Sequence, residues 1–98
     1  MEANVHALKI RAPDSPALAR YEEVAQILTG VPTAGAADGV TWVQDLCGIF
    51  EVPPLSVYDL KKKDFPGVVA KVRRASSTKG NPIMLTDNEL TQILEKAF

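Results

Sequence analysis

The side chains able to do chemistry are few and scattered along this chain. His6 is the single histidine, on a stretch that reads as helix, with no Cys, Asp or second His at ligand spacing. A zinc or iron site needs several such donors converging, so His6 is not expected to bind metal. Cys47 is the single cysteine. It falls on the apolar half of a helical stretch with no histidine near in sequence, and a cysteine so placed is expected to pack as a small hydrophobe rather than act as a nucleophile. Glu22 and Glu23 are adjacent. Neighbouring helix positions do not face each other, so they do not form a carboxylate dyad. The polar loop Ser76-Ser77-Thr78-Lys79-Gly80-Asn81-Pro82 carries neither the G-x-x-x-x-G-K-[ST] nor the G-x-G-x-x-G spacing that cradles a phosphate. Lys61-Lys62-Lys63 reads as a solvated basic loop. By residue chemistry alone, no catalytic, cofactor-binding or metal site is assigned.

The elements that carry these residues read as helices throughout. Residues 2–11 contain good helix formers and no Gly or Pro. Their apolar residues lie on two sides, Val5 and Leu8 on one, Ala3, Ala7 and Ile10 on the other, so two sets of partners are expected. After the break at Ala12-Pro13-Asp14, Ser15 suits an N-cap and Pro16 the first helical position. The helix over 16–29 then faces inward with Leu18, Tyr21, Val24, Ala25 and Leu28. Gly30 and Pro32 end it.

The stretch over 35–50 is the one around which the chain is expected to be organised. At about 100° per residue its apolar side chains, Trp42, Cys47 and Phe50 among them, fill half the circumference. An arc this wide predicts a central helix with neighbours on two sides and a buried Trp42. Gly35 and Gly39 predict close packing or a weak helix start. Pro53-Pro54 stops the helix, and Leu55 to Lys63 reads as an irregular connection. Asp64 can cap a helix over 65–75 whose inner face is Phe65, Val68, Val69, Val72 and Ala75. In the last helix, 87–98, Thr86 and Glu89 spell a capping box, and Leu85 with Leu90 a hydrophobic staple. Its inner face is Leu90, Ile93, Leu94, Ala97 and Phe98.

The 98 residues are expected to form one domain, 1–98, an all-α antiparallel bundle of about five helices. A net charge of −1 argues against general attraction to nucleic acid or anionic membrane. No apolar run approaches the roughly 20 residues of a membrane span, and charged residues interrupt any leader-like start. With one cysteine, no internal disulfide forms, and the cytoplasm is the expected compartment.

Several segments resemble the C-terminal helical part of the iron-containing alcohol dehydrogenases. They are the Asn81-Pro82 pair, the Thr86-x-x-Glu89 cap and the closing amphipathic helix. Ala19-Arg20-Tyr21-Glu22-Glu23-Val24-Ala25 is similar to a family helix, and Glu2-Ala3-Asn4-Val5 is similar to the residues following the family's His-Gly metal-binding turn. Family members add a nucleotide-binding domain with a Gly-rich loop, bind NAD(P), and hold iron through an Asp and several His, the last of which would fall just before Met1. None of these ligands or cofactor-binding residues is present here, and His6 is not at a ligand position. Glu51 stands where family members often have a helix-closing Gly. The resemblance implies a truncated remnant of an oxidoreductase, inactive alone and structural or interaction-forming, without iron or NAD(P) of its own. It equally implies the C-terminal half of a split enzyme, completed by a chain carrying the missing domain. A small homo-oligomeric interaction module is the third reading. By the same resemblance, Ser77, Thr78, Lys79 and Gly80 would form a substrate-facing loop. The two-sided first helix predicts a homodimer through Val5 and Leu8, or through Ala3, Ala7 and Ile10.

Overall fold

The computed structural model describes residues 1–98 and is all helical, with five α-helices and no strand. Its contacts divide the chain into two compact units, Met1–Val52 and Pro53–Phe98. The division falls where Pro53 and Pro54 forbid continuation of a helix.

The first unit holds α1 (Glu2–Arg11), α2 (Pro16–Thr29) and α3 (Ala36–Ile49). Ser15 caps α2 as its type predicts: its Oγ accepts from the Ala17 N–H at 3.3 Å, and Pro16 occupies the first turn. Gly30 ends α2 at φ 71°, and its N–H donates to the Gln26 carbonyl. At the start of α3, the Gly35 N–H donates to Asp38 Oδ2 at 2.8 Å. The most extensive packing in the unit is between α2 and α3. Small residues permit it. Ala25 is wholly buried, Ala34 and Ala36 nearly so, and a Cβ on Gly39 would stand 2.8 Å from the Ala25 Cβ and 2.9 Å from the Met1 Cε. Close packing was one of the two expected uses of these glycines, and Gly39 serves it.

Helix α1 contacts both α2 and α3. Val5, Ala7 and Leu8 are its buried residues, and Leu8 is the largest fully buried side chain of the chain. Asn4 Nδ2 donates to the Tyr21 hydroxyl at 2.9 Å, and Gln44 Nε2 donates to Glu2 Oε2 at 3.2 Å. Both apolar sides of α1, one of which was expected to meet a second copy, are therefore largely covered within the first unit. Only Ile10, near its C-terminal end, is strongly exposed, and Ala3 is half-buried.

The largest correction concerns α3. Only Ala36 and Gly39 in it are buried. Trp42 is 37% exposed, Cys47 is exposed, and Ile49 and Phe50 are 75% and 71% exposed. The wide apolar arc is real in the sequence, but α2 and α1 cover only its middle, toward the N-terminal end. Toward the C-terminal end the cover is partial: Val43 and Leu46 are half-buried, while Cys47, Ile49 and Phe50 are exposed. Val24 and Ile27 of α2 are exposed as well, so Val24 does not belong to the inner face. Helix α3 closes through two bonds characteristic of a left-handed C-terminal motif. The Val52 N–H donates to the Cys47 carbonyl at 3.0 Å and the Glu51 N–H to the Gly48 carbonyl at 3.1 Å. Glu51 occupies the left-handed position, at φ 53°.

In the second unit the expected irregular connection contains two short 3-10 turns, Leu55–Tyr58 and Lys62–Asp64. Asp64 precedes α4 (Phe65–Arg74), but its carboxylate accepts from the Lys61 N–H at 3.0 Å and does not cap the helix. The 3-10 turn before α4 holds Asp64 in helical backbone geometry, which directs the carboxylate backward instead of onto the first turn. Pro66 lies in the first turn of α4, where its missing N–H costs nothing. Phe65 and Val69 are buried, and Val68, Val72 and Ala75 are half-buried. Helix α5 (Asp87–Ala97) starts with the full capping box: Glu89 N–H to Thr86 Oγ1 at 3.2 Å and Thr86 N–H to Glu89 Oε1 at 2.9 Å. Leu90 is buried. Ile93 and Ala97 are exposed, which narrows the inner face expected of this helix. Phe98 meets Phe65 edge-on, with ring centroids 5.5 Å apart, and Lys62 Nζ lies 5.7 Å from the Phe98 centroid. One lysine of the basic run thus covers an aromatic face, while all three remain exposed.

Candidate functional site

A concavity of the second unit lies between the C-terminal turn of α4, the segment 77–85 and the start of α5. It encloses about 510 Å³, within the range of small-molecule sites. Its position follows from local chemistry. Ala75, at extended φ and ψ, ends α4, and residues Ser76–Gly80 form a 3-10 turn. Thr78 Oγ1 donates to the Val72 carbonyl at 2.7 Å, tying this turn back onto α4. Asn81 Nδ2 donates to the Ile83 carbonyl at 2.7 Å, which sets the bend through Pro82. On the far side Arg73 is anchored twice, through an ion pair of its Nε with Asp87 and through Nη2 to the Leu85 carbonyl at 3.3 Å.

The walls are apolar: Val72, Ile83, Met84, Leu85 and Leu90. The polar groups at the rim are Arg73, Ser77, Thr78, Lys79 and Asn81, and no carboxylate lines the cleft. Thr78, Asn81 and Arg73 are engaged as described. Lys79 and Ser77 have no protein partner. Of the loop singled out by resemblance, Ser77, Thr78 and Lys79 line this cleft together, and Gly80 does not. The loop's polarity was visible in the sequence. The apolar walls supplied by Ile83, Met84 and Leu85 were not, because their side-by-side placement depends on the bend at Asn81-Pro82.

The first unit has a shallower hollow of about 390 Å³ between the end of α2, the α2–α3 loop and α3. Thr29, Val31, Asp38, Trp42 and Asp45 are among its lining residues. His6 is exposed on α1. No group of three or more His, Cys, Asp or Glu side chains lies close enough together to hold a metal ion. No helix is long and apolar enough to cross a membrane.

Comparison of the chain with family models, with curated proteins and with solved structures finds no match.

Proposed function

We propose that this chain is an interaction protein: a helical remnant resembling the C-terminal part of the iron-dependent alcohol dehydrogenases, inactive alone, whose task is to pair with another protein surface. In this reading the helices within each unit pack antiparallel, as in that part of the family. The observation that carries the interaction role is the uncovered end of α3. Trp42, Leu46 and Ile49 follow one another at helical spacing, and Phe50 and Val52 continue the apolar run. Four of these five are exposed, Leu46 being half-buried. Large exposed apolar patches on soluble chains mark places where a partner binds. A second copy is the partner proposed, joined about a two-fold axis through the same patch.

This places the contact on α3 instead of α1, whose Val5, Ala7 and Leu8 are already buried. Sedimentation equilibrium at micromolar concentration tests it. A mass approaching twice 10.6 kDa that falls on dilution is expected. Ile49→Glu should restore the single-chain mass, because it would bury an unpaired charge in the contact, and Ile10→Glu should not. A mass of 10.6 kDa at every concentration refutes the pairing.

A second reading is favoured by one observation, the cleft lined by Ser77, Thr78 and Lys79. In it the chain is the C-terminal half of a split alcohol dehydrogenase, and iron and NAD(P) are bound by the other chain. Mixing with a separately produced nucleotide- and iron-binding half should then yield alcohol-dependent reduction of NAD(P). Absence of turnover in the mixture, with both halves folded, rejects this reading.

A further inference from the structure

We infer that the cleft between α4, segment 77–85 and α5 is a binding site for a small organic carboxylate with a short hydrocarbon tail. Its volume of about 510 Å³ suits a ligand of that size. The walls select the tail: Val72, Ile83, Leu85 and Leu90 present hydrocarbon, and Met84 adds an adaptable thioether at the edge. The rim selects the charge. Arg73 and Lys79 both line the cleft, and no acidic side chain does. The Arg73 charge is offset by Asp87. The Lys79 ammonium has no partner, and the Ser77 hydroxyl beside it in the chain is equally unengaged. A carboxylate drawn to that rim finds one uncompensated cation and one free hydroxyl donor, and such charge-assisted bonds are the stronger kind.

A bare inorganic anion would leave the apolar walls wetted, and a neutral alcohol would leave Lys79 unanswered. Only a ligand with both parts uses both features of the site. All the lining residues lie between Val72 and Leu90 in one unit, so binding requires no second chain and does not depend on the pairing proposed for α3.

The test is a titration of the full chain with hexanoate, followed by amide chemical shifts, with hexan-1-ol and inorganic phosphate as comparison probes. Hexanoate should saturate shifts confined to residues 72–90, with a dissociation constant of about 1 mM, as expected of so small a ligand. Lys79→Gln, at an exposed position that leaves the fold intact, should weaken hexanoate binding about five-fold and leave hexan-1-ol unaffected. Shifts absent at about 20 mM hexanoate, some twenty times that constant, overturn the inference. So do shifts centred outside residues 72–90, equal binding of hexan-1-ol, or tighter binding of phosphate. A chain that binds hexanoate as a monomer upholds the site while refuting the α3 pairing, so the two proposals fail separately.

Discussion

Glu51→Gly should stabilise the first unit by about 1 kcal/mol. Glu51 sits at φ 53°, in the left-handed region, where an L side chain costs roughly 1–2 kcal/mol through the approach of its Cβ to the following carbonyl. The bonds around it hold it there: its own N–H to the Gly48 carbonyl and the Val52 N–H to the Cys47 carbonyl. Glycine removes the steric penalty but loses about 0.5–1 kcal/mol of extra freedom in the unfolded chain. The carboxylate also lies at the negative end of α3, where an exposed anion is unfavourable by about 0.3 kcal/mol. The Glu51 side chain is exposed and makes no bond that its removal would forfeit. Urea unfolding followed by the emission of Trp42 reports on this unit, since Trp42 is the sole tryptophan. With a slope of about 1 kcal/mol per molar for so small a unit, the midpoint should rise by about 1 M. Wild type and variant must be compared at one protein concentration, because any self-association contributes to apparent stability. Glu51→Ala separates the causes. It removes the charge but keeps the Cβ, and should gain only about 0.3 kcal/mol. An unchanged or lowered midpoint for Glu51→Gly, or an equal gain for Glu51→Ala, refutes the strain argument.

Two further perturbations probe the elements that shape the units. Gly39→Ala should destabilise the first unit by about 1–3 kcal/mol through overpacking, despite alanine's better helix propensity, because the new methyl would stand 2.8 Å from the Ala25 Cβ; urea unfolding reads it, and a stabilised variant would show that α2 and α3 can separate freely. Thr86→Ala removes the side-chain acceptor of the Glu89 N–H and should cost about 1 kcal/mol, measured as loss of helical circular dichroism on heating; an unchanged transition would mean that the cap contributes nothing to α5.

How much of this protein was legible in its residues depends on the range of the interactions concerned. The ends of the helices are local matters. Ser15-Pro16 starts α2 and Gly30 ends it. Thr86-x-x-Glu89 starts α5, and Pro53-Pro54 prevents α3 from continuing. Each rests on a hydrogen bond or dihedral within a few residues, so residue type alone decides it. Asp64 shows where even local reading falls short, because a 3-10 turn diverted its carboxylate to Lys61.

Which apolar residues are covered is a different kind of fact. The arc on α3 was visible, but an arc states only what would be favourable to bury. Coverage depends on the positions of α1 and α2, and these reach Ala36 and Gly39 while leaving Trp42, Cys47, Ile49 and Phe50 outside. The reverse holds for α1, whose two apolar sides pointed to a missing partner but are largely covered through contacts with α2 and α3. The cleft beside Lys79 is likewise a product of the tertiary structure. The chain determines the polar loop and the run Ile83-Met84-Leu85 separately. Only the ties from Thr78 to Val72, from Asn81 to Ile83 and from Arg73 to Leu85 bring them to opposite sides of one space. Hydrophobic burial is non-directional, so a sequence can state its amount but leaves to the fold the choice of which surface receives it.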